Sequence, residues 1–198
     1  TKFLKLNQNS FVVELASNDG YLLKNFVELG IPCLGIEPTN STANVSRQKG
    51  IETIEEFFGI DCAKKLSQDK KADLIIGNNV YAHVPDINDF TAGIKELLSP
   101  DGTVTLEFPH LVELIQNNQF DTIYHEHYSY LSLFSVSQIF NKAGLKIYKV
   151  DKLQTHGGSI RIYGCHKEKD MMIDKSYKDL INKEIKLGIN DINLYKNG

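Results

Sequence analysis

The densest run of chemically capable side chains in the sequence is Tyr124-His125-Glu126-His127. An imidazole with an ordinary pKa near 6.5 can take a proton at neutral pH, a carboxylate can orient or charge-stabilise it, and a phenol can donate to a developing oxyanion. The run therefore suits general acid and base work on a carbon acid. His83 lies in a second polar loop, after the fourth apolar run, where it can border a ligand crevice or serve as an ordinary hydrogen-bonded structural residue. Phe120, Ile123, Tyr128, Tyr130 and Leu131 surround the run with more apolar area than a free loop carries, as a lid or pocket wall would. Two other readings compete: the histidines point outward into solvent, or His83, His125 and His127 ligate zinc. The His-x-His pair lacks the HExxH helix spacing and has no thiolate nearby, so no metal is expected.

A second set closes the first apolar run. Glu14-Leu15-Ala16-Ser17-Asn18-Asp19-Gly20 passes straight into a helical pattern, which puts this turn at the carboxyl edge of a sheet, where doubly wound folds bind ligands. A GxGxxG turn brings backbone up to a pyrophosphate, but here Ala16 and Asn18 stand in for the first two glycines and only Gly20 remains. A nucleoside without phosphate, such as S-adenosylmethionine, fits better: Ala16, Asn18 and Gly20 offer a small-residue floor and polar groups for its aminoacyl tail. Tyr21 can cover the methionine portion or pack in the core. Glu37, followed by Pro38, ends the second run and is placed to accept both ribose hydroxyls, a role that NAD binders share. Asn78 and Asn79 end the fourth run in the same crevice, where ordinary turn chemistry also accounts for them.

The elements that carry these residues follow from periodicity. Apolar runs at 11–15, 33–36, 51–54, 72–77 and 103–107 alternate with helical patterns at 21–29, 42–49 and 61–68 and with a helix ending near Ser99-Pro100-Asp101-Gly102. This is the signature of βαβ units and a mostly parallel sheet. Gly30, Gly50 and Gly144 read as left-handed helix terminators, and Ser135 as the cap of a helix running to Ala143. Residues 117–130 break the rhythm as an inserted loop. Two strands at 145–153 and 160–166, joined by a turn at His156-Gly157-Gly158, finish the sheet on an antiparallel hairpin. Residues 1–168 form one domain. A polar helix from Tyr177 to Leu187 leads away, so 169–198 is expected to be a helical linker towards a further domain.

Several separated strings, VVELASNDGYLL, GIEPT, NNVYAHVPDINDF, LEFPHL, QFDTIYHEHYSYLS and THGGSIR, resemble the class I S-adenosylmethionine-dependent C-methyltransferases that act on nucleotide-linked deoxysugars. The resemblance spans Val12 to Arg161. It implies strand order 3-2-1-4-5-7-6 and catalytic roles for Tyr124, Glu126 and His127 with His83 facing them; the cofactor contacts expected are Glu14, Ala16, Asn18, Gly20, Tyr21, Glu37, Pro38, Asn78 and Asn79. Methylating carbon demands an enolate, and His127 is the first choice as its base. A zinc-binding domain upstream and a second α/β domain downstream are also implied. No cysteine cluster precedes Val12 and the chain opens on Thr1, so it is expected to be the central piece of a longer protein. An NAD-dependent sugar-nucleotide oxidoreductase is the chief rival, though a full glycine fingerprint and a Tyr-x-x-x-Lys pair are missing; a cofactor-binding module without activity is another.

Composition narrows the partners. The net charge of -3 and the absence of a Lys/Arg run argue against nucleic acid or anionic membrane as partner. No apolar run approaches the roughly 20 residues that span a bilayer. Three scattered cysteines, Cys33, Cys62 and Cys165, suit a reducing cytoplasm better than a disulfide framework. A small nucleotide-linked sugar is the expected partner.

Overall fold

The computed structural model describes residues 3–196. Seven strands make one sheet: β1 (Val12–Leu15), β2 (Cys33–Ile36), β3 (Thr53–Ile54), β4 (Ala72–Asn78), β5 (Leu98–Pro109), β6 (Leu145–Leu153) and β7 (Ser159–His166). Their order is β3-β2-β1-β4-β5-β7-β6, with β7 antiparallel to both β5 and β6 and the remaining pairs parallel. The doubly wound sheet with a terminal antiparallel hairpin is thus as expected. Order reverses between β1 and β4, which opens a crevice at their carboxyl ends.

Helices α1 (Lys24–Glu28), α2 (Asn40–Gln48), α3 (Ile60–Ser67), α4 (Ile87–Leu97), α5 (Leu111–Gln116), α6 (Leu133–Ala143), α7 (Lys175–Lys186) and α8 (Asn193–Lys196) connect and cover the strands. All four residues of β1 are buried, because both faces of the sheet are covered and alternate side chains go to opposite layers. Val13, Leu15, Leu34, Ile36 and Ile75 join the larger core with Phe90, Ile94 and Phe140. Val12, Leu74 and Ile76 join Leu23, Phe26, Ile31 and Ile51 in the smaller one.

Local differences from the sequence reading have local causes. The first helix begins at Lys24 rather than Tyr21, because residues 21–23 remain in turns as the chain leaves the Gly20 bend. β3 is only Thr53–Ile54, an edge strand paired with Gly35 and Ile36 alone. β5 starts at Leu98, since its pairing jumps from Ala72↔Leu98 to Leu74↔Thr103 and Ser99 to Gly102 bulge out between. The cap of α6 is Ser132, not Ser135; the two form a capping box in which each side chain serves the other's backbone N–H. Gly30, Gly50 and Gly144 all adopt positive φ.

The segment expected to lead away does not do so within the described residues. Asp174 caps α7 by accepting from Ser176 N–H, and Tyr177, Leu180 and Ile181 pack the helix against the core next to α6 and β6. Among the described residues, no helix is long and apolar enough to cross a membrane.

Candidate active site

The turn after β1 is held in an unusual conformation: Ala16, Asn18 and Gly20 have φ of 54°, 52° and 75°. Three left-handed residues at alternate positions coil the backbone tightly, and Asn18 and glycine tolerate this at the least cost. Gly20 is needed for packing as well, since a Cβ there would collide with Ile51 Cδ1 and Ser46 Oγ. Glu37 holds the turn from the neighbouring strand: its two carboxylate oxygens accept from Asn18 N–H at 3.0 Å and Thr39 N–H at 2.9 Å. Each oxygen keeps a further lone pair for a ligand hydroxyl.

Beneath the turn, Glu14 is only 3% exposed. Burial, with a smaller contribution from the like charge of Asp19, raises its carboxyl pKa from 4.5 to about 8. Glu14 Oε2 and Ser17 Oγ are buried with no hydrogen-bond partner among the described residues. Two orphaned polar atoms beside a strained turn fit a ligand carrying both a cationic and a hydrogen-bonding end, as the aminoacyl tail of S-adenosylmethionine does.

A cleft of about 450 Å³ opens alongside, walled by Ala16, Ile36, Pro38, Phe57, Phe58, Val80 and His83 among others. Its mixture of apolar wall and edge carboxylates suits a nucleoside. Of the residues expected at the cofactor, Ala16 and Pro38 line this wall; Asn18, Gly20 and Glu37 shape the turn beside it. Tyr21 is 57% exposed, so it is not core packing, and it stands outside the cleft wall. Asn78 ends β4. Asn79, at φ 54°, donates its N–H to Glu107 O at 2.8 Å and its amide to His156 Nε2 at 3.3 Å. The hairpin turn therefore reaches the crevice. Phe57 and Phe58 went unnoticed in the sequence, although an aromatic pair just past the third strand, at the carboxyl edge, was the available signal; Phe57 is 82% exposed.

His83 connects this cleft to the histidine loop. It sits in a single 3-10 turn, Tyr81–His83, directly after β4, and its Nδ1–H donates to Glu126 O at 3.0 Å. Burial first, then the adjacent His127, lowers its pKa below the ordinary 6.5. The His83 and His127 rings lie 4.7 Å apart, and Tyr124 lies 4.4 Å from His127. His127 Nδ1–H donates to Thr122 O at 2.7 Å. Both imidazoles are thus pinned in the tautomer that leaves Nε2 with a free lone pair, the form that accepts a proton. Ser129 N–H donates to Ala82 O at 3.1 Å and ties the loop to the 3-10 turn.

The structure brings together His83, Tyr124 and His127. Glu126 enters differently from the expectation, since its side chain is exposed and its carbonyl is what meets His83. His125 is exposed and rests edge-on against Tyr124. Among the described residues, no group of three or more His, Cys, Asp or Glu side chains is arranged to hold a metal ion.

A family model described as a methyltransferase domain matches residues 1–150. The chain is 35% identical over 192 residues to the C-methyltransferase NovU of Streptomyces niveus, a match that covers 96% of this chain and 46% of that protein. The chain thus spans about half the length of this relative. Among solved structures, a TehB-like SAM-dependent methyltransferase from Corynebacterium glutamicum superposes with a TM-score of 0.63 at 11% identity, over 84% of each chain. Magnesium protoporphyrin IX methyltransferase (ChlM) from Synechocystis PCC 6803, with bound SAH, gives 0.61 at 13% identity, over 78% of this chain and 73% of that one. At such identities these two speak for the fold alone. With the family match running through most of the sheet that carries the β1 turn, the chain belongs to the methyltransferase-domain family, in its class I, S-adenosylmethionine-dependent form.

Proposed function

We propose that the protein transfers a methyl group to carbon on a keto-deoxysugar linked to a nucleotide, by way of an enolate. The observation that carries the reading is the tautomer of His127: with Nδ1–H given to Thr122 O, Nε2 is a ready proton acceptor, one ring away from a residue of the cofactor cleft. A base so placed suits a substrate that must lose a proton to take the methyl group, as a carbon acid beside a carbonyl must. The likeness to the C-methyltransferase NovU points the same way.

Bound S-adenosylmethionine supplies an electrophilic methyl group, and Glu14, Ala16, Asn18, Gly20, Tyr21, Glu37, Pro38, Asn78 and Asn79 would hold it. His127 Nε2 takes the proton from the carbon beside the sugar carbonyl. Tyr124 O–H donates to the oxygen on which charge collects. His83, kept neutral by its burial, does not oppose protonation of His127 as a second cation would. Glu126 steadies His83 through its carbonyl, while its carboxylate pulls the His83 pKa up only weakly against burial. In this reading residues 1–168 are the methyltransferase domain, and 169–198 first pack α7 against it and then continue towards a further domain of the same protein, in a reducing cytoplasm where its three free cysteines stay reduced.

The test is His127→Asn in the full-length protein. Turnover should fall by about 10²- to 10⁴-fold with cofactor affinity nearly intact, and solvent deuterium should no longer enter the substrate carbon. Wild-type exchange and methylation in His127→Asn, with loss in His83→Asn or Glu126→Gln, would move the base elsewhere in the cluster.

A further inference from the structure

Glu184 has no exposed surface, yet it is a carboxylate on a helix that the mechanism does not use. Its Oε1 accepts from His110 Nε2 at 2.6 Å and from Leu133 N–H at 2.8 Å; its Oε2 accepts from Phe134 N–H at 2.7 Å. Leu133 and Phe134 are the first two residues of α6, whose free N–H groups and dipole favour an anion. Three donors offset the cost of burying the carboxyl group, and the bonds they make are directional. What those bonds hold is the stem of the histidine loop.

The loop leaves by way of His110 and α5 and returns at Leu131. His110 and Leu131 form an isolated parallel bridge, and Leu111 N–H donates to Leu131 O at 2.9 Å. His110 N–H also donates to Gly158 O at 3.0 Å, in the turn whose His156 meets Asn79. One carboxylate thus grips both sides of the stem, His110 at the exit and the start of α6 just past the return.

We propose that Glu184 is a positioning residue for the reaction: through His110 and the N-terminus of α6 it fixes the stem that carries Tyr124 and His127, so that α7 belongs to the catalytic unit. The inference rests on the function proposed above only for its kinetic readout. The experiment uses the full-length protein with Glu184→Met, which fills the space but accepts no hydrogen bond, and Glu184→Gln, which keeps one acceptor oxygen. Leu66→Ala in α3, a helix that packs chiefly on α4, serves as a destabilised control.

Amide hydrogen exchange over residues 117–130 and the imidazole ¹⁵N shifts of His127 need no substrate. In Glu184→Met the amides of His127 and Ser129 should exchange about tenfold faster or more, a local opening easier by about 1.4 kcal/mol, and the His127 shifts should move towards a mixture of tautomers. Residues 12–20 should be unchanged. The kcat should fall by up to about 10²-fold with S-adenosylhomocysteine affinity within about twofold, Glu184→Gln lying between, because misplacing a reacting group by an ångström costs on that order. A lowered melting temperature with wild-type loop exchange, His127 shifts and kcat, as expected of Leu66→Ala, would reduce Glu184 to a structural residue. If Glu184→Met fails to fold, Glu184→Gln decides between the same outcomes. Loop and shift changes as stated, in a wild type that methylates no keto-sugar nucleotide, would leave the positioning role standing and sink the substrate reading instead.

Discussion

Replacing Glu14 by Gln should change how stability depends on pH in a direction fixed by its burial. In the unfolded chain this carboxyl loses its proton near 4.5, whereas in the folded protein it holds the proton up to about 8. Between those values the folded state binds one proton more than the unfolded state, so the contribution is fully present below 4.5 and is lost as pH rises to about 8. The slope is about 1.4 kcal/mol of unfolding free energy per pH unit, from 2.303RT per proton. Gln mimics the protonated acid and has no such linkage. Urea melts at half-unit steps from pH 5 to 7.5 should therefore show wild type losing about 1.4 kcal/mol per unit relative to Glu14→Gln. The same proton gives a binding signature. At pH 7 the free site is about nine-tenths protonated, so a ligand ammonium that pairs with the carboxylate should expel about 0.9 proton, visible as a buffer-dependent enthalpy in calorimetric titration of S-adenosylhomocysteine. Parallel stability curves and a buffer-independent enthalpy would refute both the raised pKa and the contact.

Glu37→Ala should weaken S-adenosylhomocysteine binding by roughly 1.5 to 3 kcal/mol by calorimetry, since it removes the carboxylate proposed to take the ribose hydroxyls and frees Asn18 N–H and Thr39 N–H; unchanged affinity would remove Glu37 from the site. Gly20→Ala meets both a positive φ and the Ile51 and Ser46 side chains, so thermal melts should show a loss of about 1 to 3 kcal/mol. A neutral result would mean that the β1 turn relaxes freely.

Strand order and the places of Glu37 and the β1 turn at the carboxyl edge were legible because they depend on local pattern: short apolar runs at regular spacing, Glu37 at the end of one, Gly20 after another. The hairpin was legible from the paired glycines at 157 and 158, which adopt positive φ. Element ends were less so. Ser132 and Ser135 are equivalent by residue type, and only the backbone geometry of the box decides which is the cap. The docking of α7 was hidden by its many charges, although Tyr177, Leu180, Ile181 and Glu184 share one helical face, and a carboxylate continuing an apolar stripe was the visible sign of a buried anion. That His83 faces His127 was implied by the family resemblance alone; residue spacing could not show it, because the contact depends on a loop folding back over a 3-10 turn. Even the meeting of Glu126 with His83 runs through its carbonyl, an atom every residue possesses.

The position of β7 between β5 and β6 has a consequence for how the chain is made. β5, twelve residues long, pairs on one side with β4, but its other side waits for β7, which begins about fifty residues after β5 ends. At roughly 5 to 20 residues per second of synthesis, a long and largely apolar strand edge stays open for seconds before it can be covered. β6 emerges first, but in the finished sheet its one neighbour is β7. The nascent protein is therefore at its most vulnerable to strand addition by other chains in that interval, and the histidine loop, spelled out between the two strands, is complete before the sheet that must hold it exists.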